Sequence, residues 1–258
     1  MTSDITSDLR GQTLWVTFNR PEARNALTFD MYEGLAEICS TVPEDGSVKA
    51  LVIVGAGGKA FAAGTDMTQF RAFETEEDAW AYEDEITRVL TAVDMCPVPT
   101  IAAIHGACTG GGASIAASCD MRICSAQLKF GFPIARTLGN CLNAGNLARL
   151  TELMGAGRVR DMIFTARLVG AEEAMAIGLV SQVLADEDTL LTRASELAEQ
   201  LGGMAPLTLR ATKEAMRRNR DAAAVDDKDL IALCYMSQDF KHGLEAFLAK
   251  KKPEWTGT

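Results

Sequence analysis

Two apolar runs, each emptying into a glycine-rich turn, constrain this chain more than any other feature. Ala50-Leu51-Val52-Ile53-Val54 leads into Gly55-Ala56-Gly57-Gly58, and Thr100-Ile101-Ala102-Ala103-Ile104 leads into the turn from Gly106 to Gly112. A short unbroken apolar run is expected of a strand buried on both faces. A helix then follows each turn, Ala113 to Ser118 in the second case. A helix N-terminus presents unpaired backbone N–H groups and the positive end of a dipole, and glycine lets a ligand approach those amides without a Cβ in the way. Two such ends either merely connect elements or, converging on one point, stabilise an oxyanion forming from a carbonyl. Spacing alone leaves both readings open.

The remaining pattern supplies the layers. Thr13 to Phe18 reads as a strand ending at Asn19-Arg20-Pro21, and a helical pattern follows Thr28 through Met31, Leu35 and Ile38. Residues 74–94 read as a long amphipathic helix with its acids early, as the helix dipole prefers. Pro97-Val98-Pro99 ends it, and Met121 to Cys124 forms another strand. Beyond Asn143 the chain is mainly helical, with interruptions near Arg167 and at Val180-Ser181-Gln182-Val183. From about Asp186 only helices remain. Strands alternating with helices and then helices alone predict an α/β core over residues 1–190 and a helical appendage over 191–258.

A net charge of −10 argues against bare nucleic acid as a partner. The absence of an apolar run near the roughly 18 residues of a membrane span argues against a membrane protein, and MTSDITSDLR lacks the apolar segment of a secretory signal. The expectation is a cytoplasmic protein. Seven scattered cysteines without CxxC spacing read as buried reduced thiols. With only His105 and His242, no metal site is expected.

Three glycine motifs fail. Gly58-Lys59 lacks both flanking requirements of a P-loop, and neither turn gives GxGxxG with a ribose-binding acid downstream. Gly112-Ala113-Ser114-Ile115-Ala116 is one glycine short of a nucleophile elbow.

What remains resembles the crotonase (enoyl-CoA hydratase/isomerase) superfamily. Val16-Thr17-Phe18-Asn19-Arg20-Pro21-Glu22-Ala23-Arg24-Asn25-Ala26-Leu27 is similar to its N-terminal signature, Lys59 to Met67 to its AFxAGxD stretch, and Ile104 to Gly112 to its xGxxxGGG stretch. Cys119-Asp120-Met121-Arg122, Phe130-Gly131-Phe132-Pro133 and the tail from Gly243 to Pro253 follow in order. The resemblance implies a ClpP-like spiral of ββα units with a C-terminal helical domain that builds a homotrimer or a dimer of trimers. It implies an acyl-CoA substrate, coenzyme A being part of the thioester, with no tightly bound cofactor.

By the same resemblance, the backbone N–H groups of Thr65 and Gly111 form the oxyanion hole, where one donor is worth roughly 3–4 kcal/mol. Coenzyme A lies across Arg24 and Ala26, with its adenine near Ala62 and Ala63 and its phosphates near Lys59, and Asp66 and Met67 also belong to its binding site. Phe247 and Lys250 of the last helix close over it. Asp66 also reads as a cap for the turn after Thr65, and His105 and Asp120 as structural.

The departure from the family is chemical. Hydratases of this type use two glutamates about one water, at positions that here are Ser114 and Ile134, twenty residues apart. Losing two acid–base groups costs about 5–11 kcal/mol of barrier if nothing substitutes. Substitutes are sought in the loop after Ile134, where Arg136, Asn140, Cys141 and Asn143 stand and no carboxylate does; Asn140 and Ser114 join the catalytic candidates. Three functions stay open: a hydratase/isomerase-like enzyme with rearranged groups, other acyl-CoA chemistry such as decarboxylation or thioester hydrolysis, and a non-catalytic acyl-CoA-binding protein.

Overall fold

The computed structural model describes residues 4–257. Its elements in chain order are β1 (Ile5–Arg10), β2 (Thr13–Phe18), α1 (Phe29–Ser40), β3 (Ala50–Gly55), β4 (Ala60–Ala63), α2 (Glu76–Asp94), β5 (Thr100–Ile104), β6 (Ala107–Thr109), α3 (Gly111–Ser118), β7 (Met121–Ser125), β8 (Lys129–Gly131), α4 (Ile134–Thr137), α5 (Ala144–Met154), α6 (Ala156–Phe164), β9 (Val169–Gly170), α7 (Ala171–Ala176), β10 (Val183–Leu184), α8 (Glu187–Gly202), α9 (Pro206–Asp221), α10 (Lys228–Tyr235) and α11 (Gln238–Leu248).

The strands form two sheets, ordered β1-β2-β3-β5-β7-β10 and β4-β6-β8-β9. Each turn of the chain lays one strand in the first sheet, the next in the second, then a helix: β3-β4-α2, β5-β6-α3, β7-β8-α4. This is the expected ββα spiral. Within the first sheet β2, β3, β5, β7 and β10 run parallel, and β1 closes one edge antiparallel.

The unbroken apolar run of β3 has a simple cause. Leu51 and Ile53 point into the main core with Val16, Phe18, Ala102 and Ile104. Ala50, Val52 and Val54 point to the other face, with Trp15, Ile101, Ala103 and Ile123. Both faces are covered, the second by Leu190, Ala194, Leu197 and Ala198 of α8, so no alternation survives. Where the chain steps between sheets, the backbones come too close for a side chain. A Cβ on Gly106 would lie 2.2 Å from the Lys59 carbonyl oxygen, and one on Gly112 would lie 2.4 Å from that of Ala62.

Helix α2 is the long helix read from the sequence, begun by a Thr75–Asp78 capping box. Its stripe of Ala79, Ile86, Leu90 and Val93 is buried, and Glu83 stands in the same stripe. At its far end Asp94 pairs with Arg149 of α5 and, at 2.7 Å, with Arg220 of α9. The carboxylate of Asp120 accepts from Thr100 N (2.7 Å) and from Lys213 Nζ of α9 (2.6 Å), so its role is structural as expected. The final helix α11 meets the end of α4 so closely that a Cβ on Gly243 would sit 2.5 Å from the Leu138 carbonyl oxygen. Among the described residues no helix is long and apolar enough to cross a membrane.

Candidate active site

The two glycine turns reach the same cavity. Leu27 pairs with Thr65 as an isolated parallel bridge, with Leu27 N donating to Gly64 O (2.8 Å) and Asp66 N to Leu27 O (2.8 Å). In a parallel bridge the bridged residue's own N–H points to the other side, so the Thr65 amide faces away from Leu27. Gly111 is the first residue of α3, and an amide there has no intrahelical acceptor. Both residues line a cavity of about 160 Å³ together with Ala63, Met67, Ser114, Ile134, Asn140 and Phe247. Ser114 and Ile134, the positions of the two missing carboxylates, therefore face one space.

A carboxylate is nevertheless present. Glu83 of α2 lines the cavity and is nine-tenths buried. Tyr235 Oη of α10 donates to its Oε1 (2.7 Å), and Asn143 Nδ2 donates to its Oε2 (2.8 Å). Burial pushes its pKa up to about 7, with Asp227 and Asp84 adding repulsion, while the two hydrogen bonds hold it from rising further. A carboxyl poised near neutrality in an apolar cleft is equipped to take and return a proton. Glu83 lies 51 residues before Ile134, far from the loop where the sequence points to a substitute. Its signal was present: a lone acid on the apolar stripe of an otherwise conventional amphipathic helix.

The other end of the cavity holds a hydroxyl chain. Thr65 Oγ1 lies 2.8 Å from Tyr32 Oη and 3.2 Å from Tyr82 Oη. Tyr32 is buried and Tyr82 partly so, and desolvation pushes both phenols well above their ordinary pKa, so they remain neutral. They fix the Thr65 side chain and with it the backbone that carries the amide.

The loop candidates are placed as follows. Asn140 lines the cavity, and its Nδ2 donates to Tyr235 Oη (3.3 Å). Asn143 caps α5, accepting from Asn146 N (2.9 Å) while it holds Glu83. Cys141 is on the wall, and Arg136 is exposed outside it. Of the residues assigned to coenzyme A, Ala63, Met67 and Phe247 line the cavity, Phe247 half-exposed at its mouth. Arg24, Ala26, Lys59, Ala62, Asp66 and Lys250 lie outside the wall. Arg24 and Ala26 run beside it, the Arg24 carbonyl accepting from Ala63 N (3.1 Å). Arg24, Lys59 and Lys250 are exposed, whereas Ala62 is wholly buried. Asp66 accepts from Thr68 N (3.2 Å) and pairs with Arg20 (3.3 Å), capping the turn from Met67 to Ala72.

Two interleaved sheets in a ββα spiral, with paired glycine turns opening on one cavity, define an acyl-CoA enzyme of the crotonase superfamily. The chain belongs to the Enoyl-CoA hydratase/isomerase family, whose model matches residues 10–258. It is 32% identical to a short-chain-enoyl-CoA hydratase of Clostridium acetobutylicum over 98% of this chain and 97% of the relative. It is 33% identical to the mitochondrial Delta(3,5)-Delta(2,4)-dienoyl-CoA isomerase of Rattus norvegicus, over 92% of this chain and 77% of that one. The crystal structure of an enoyl-CoA hydratase/carnithine racemase from Magnetospirillum magneticum superposes with a TM-score of 0.80 at 34% identity, covering 100% of this chain and 97% of its own.

Proposed function

We propose that the protein isomerises the double bond of short enoyl-CoA thioesters, with Glu83 as the single proton carrier. The observation that carries this reading is that Glu83 is the one carboxylate among the described residues lining the cavity. Hydration in this family uses two carboxylates about a water, whereas a double-bond shift needs one group that removes a proton and returns it elsewhere. Ionised Glu83 takes a proton from the carbon next to the thioester carbonyl of a 3-enoyl chain. The electron pair moves onto the thioester oxygen, which the Thr65 and Gly111 amides hold. Glu83 then returns the proton two carbons further on, leaving the 2-enoyl thioester with no water consumed. A cavity of about 160 Å³ is smaller than the roughly 300–1,000 Å³ of drug-sized ligand pockets, which favours a short acyl chain.

Coenzyme A would follow the edge formed by Arg24, Ala26 and Ala63, with Met67 and Phe247 at the mouth and Lys59 and Lys250 meeting its phosphates. Ala62 and Asp66 would act by shaping that edge. Exposed Leu207, Met216, Leu230 and Leu233 on α9 and α10 support assembly through the helical region into a trimer or paired trimers, which sedimentation would resolve.

A second reading, hydration through Glu83, is favoured by one observation. Asn140 Oδ1 and Asn146 Oδ1 are buried acceptors without hydrogen-bond partners among the described residues, on residues of the same wall, and a water there would satisfy them. Both reactions are followed on one protein: 3-enoyl-CoA gains conjugated-thioester absorbance on isomerisation, and crotonyl-CoA loses it on hydration. Isomerisation that drops about 10²–10⁴-fold in Glu83→Gln supports the proposal. Unchanged turnover in that variant overturns it, and faster hydration than isomerisation favours the second reading.

A further inference from the structure

The two supports of Glu83 carry a pair of thiols that the proposed reaction does not use. Cys141 lies in the loop between Asn140 and Asn143, and Cys234 immediately precedes Tyr235 on α10. Cys141 Sγ approaches the Leu230 carbonyl, one helical turn before Cys234, at 3.7 Å. Both thiols pack on the aromatic cluster of Phe70, Tyr235 and Phe240. Cys141 faces the active-site cavity, while Cys234 lines a separate surface cleft with Trp80 and Trp255. Neither is fully buried, unlike Cys39, Cys96, Cys108, Cys119 and Cys124.

From this juxtaposition we infer that Cys141 and Cys234 form a reversible disulfide that switches the active site. The neighbouring Cys141 thiol holds the Cys234 thiol below its ordinary pKa, so the outer sulfur is the nucleophile. The oxidant is a small-molecule disulfide such as oxidised glutathione. The Cys234 thiolate attacks one of its sulfurs and expels a glutathione thiolate. Cys141, losing its proton to solvent, then attacks the Cys234 sulfur and expels the second glutathione. One sulfur–sulfur bond forms in the protein, one is lost in the oxidant, and two glutathiones are released.

The bond draws the sulfurs to about 2.05 Å, well inside the contact distance of two thiols. The strain falls on the loop that presents Asn143 and on the helix that presents Tyr235, which are the two donors to Glu83. Displacements of about 1 Å in such supports cost on the order of 10²-fold in rate. The effect on turnover rests on the isomerase reading, but formation of the bond does not.

The test treats the full-length reduced protein with oxidised glutathione, denatures it, and alkylates the remaining thiols with N-ethylmaleimide. The expected result is five alkylations in place of seven, and a cross-linked peptide pair containing Cys141 and Cys234. Isomerase turnover falls at least tenfold and returns with dithiothreitol, whereas Cys234→Ser keeps its activity through the same treatment. Seven alkylations, or a bond between other cysteines, overturns the inference. So does a disulfide at this pair that leaves turnover of an active enzyme unchanged. If no enoyl-CoA turns over before oxidation, the isomerase reading fails, while the alkylation count still decides whether the thiols pair.

Discussion

Tyr235, near the end of the chain, donates its hydroxyl at 2.7 Å to a carboxylate 152 residues earlier, Glu83. The bond joins the C-terminal helices to the proposed proton carrier, and its direction fixes its effect. A donor to a carboxylate favours the ionised form. Tyr235→Phe is therefore expected to raise the Glu83 pKa above 7 by about half a unit to one unit, the worth of one hydrogen bond. Isomerase kcat/KM should fall several-fold at pH 7 and recover by pH 9, as read from the pH–rate profile.

In the wild-type enzyme Glu83 must be ionised to accept a proton. With its pKa near 7, kcat/KM is expected to rise through that pH and level off on the alkaline side. A profile already flat at pH 5 would show that some other group carries the proton.

The same carboxyl leaves a mark on stability. Its folded pKa lies above the unfolded value of 4.5, so the unfolded state gives up its proton first as pH rises. The associated stability is present below about 4.5 and is lost as pH rises towards about 7. The loss amounts to about 3 kcal/mol. Glu83→Gln cannot ionise. Urea unfolding should therefore show the variant gaining about that much relative to wild type between pH 4 and pH 8.

Gly111 has no room for a side chain. A Cβ there would lie 1.8 Å from Tyr32 Oη and 3.2 Å from Thr65 Oγ1, and Tyr32 is fully buried. Gly111→Ala should displace the hydroxyl that fixes Thr65 and cost at least tenfold in kcat, with about 1–3 kcal/mol of overpacking strain. Tyr32→Phe in the same chain removes the clashing oxygen and should restore part of both. Equal defects in the single and double variants would place the damage elsewhere.

Asp94 lies between two guanidinium groups, Arg149 and Arg220, whose side chains are 9% and 12% exposed. Asp94→Ala leaves the buried Arg149 without its carboxylate, while Arg220 keeps Glu152 and Asp221 beside it. The expected cost is about 3–5 kcal/mol, seen as a lowered denaturation midpoint. Asp94→Asn, which keeps one acceptor, should lose less.

What the sequence made legible follows from how locally each feature is encoded. The runs in β3 and β5 and their glycine turns announce themselves, because burial on both faces and close backbone approach each leave a contiguous mark. β1 was not recognised: as an exposed edge strand, its polar ITSDLR looks like a loop. β4 and β8, of four and three residues, vanish into the turns beside them. Glu83 was hidden among Glu76, Glu77, Asp78, Asp84 and Glu85 on one helix, all acidic and only one facing inward. Its partner Tyr235 could not be found by any local rule, since the contact exists only once α10 lies on α2. Asn140 and Asn143 stand in the loop after Ile134 where the sequence points to substitutes for the missing carboxylates. In the structure they support the hidden carboxylate, Asn143 directly and Asn140 through Tyr235.

The late position of Tyr235 also sets an order of events during synthesis. Both glycine turns are encoded before residue 113, the second being held by the Gly131 carbonyl, yet Tyr235 reaches Glu83 only once α10 lies on α2. Through that interval the residue is an ordinary surface acid, ionised and well solvated. Closing the last helices over it raises its affinity for a proton, so final docking binds a proton near neutral pH, and a nascent chain released too early would carry a sound sheet beside an untuned acid.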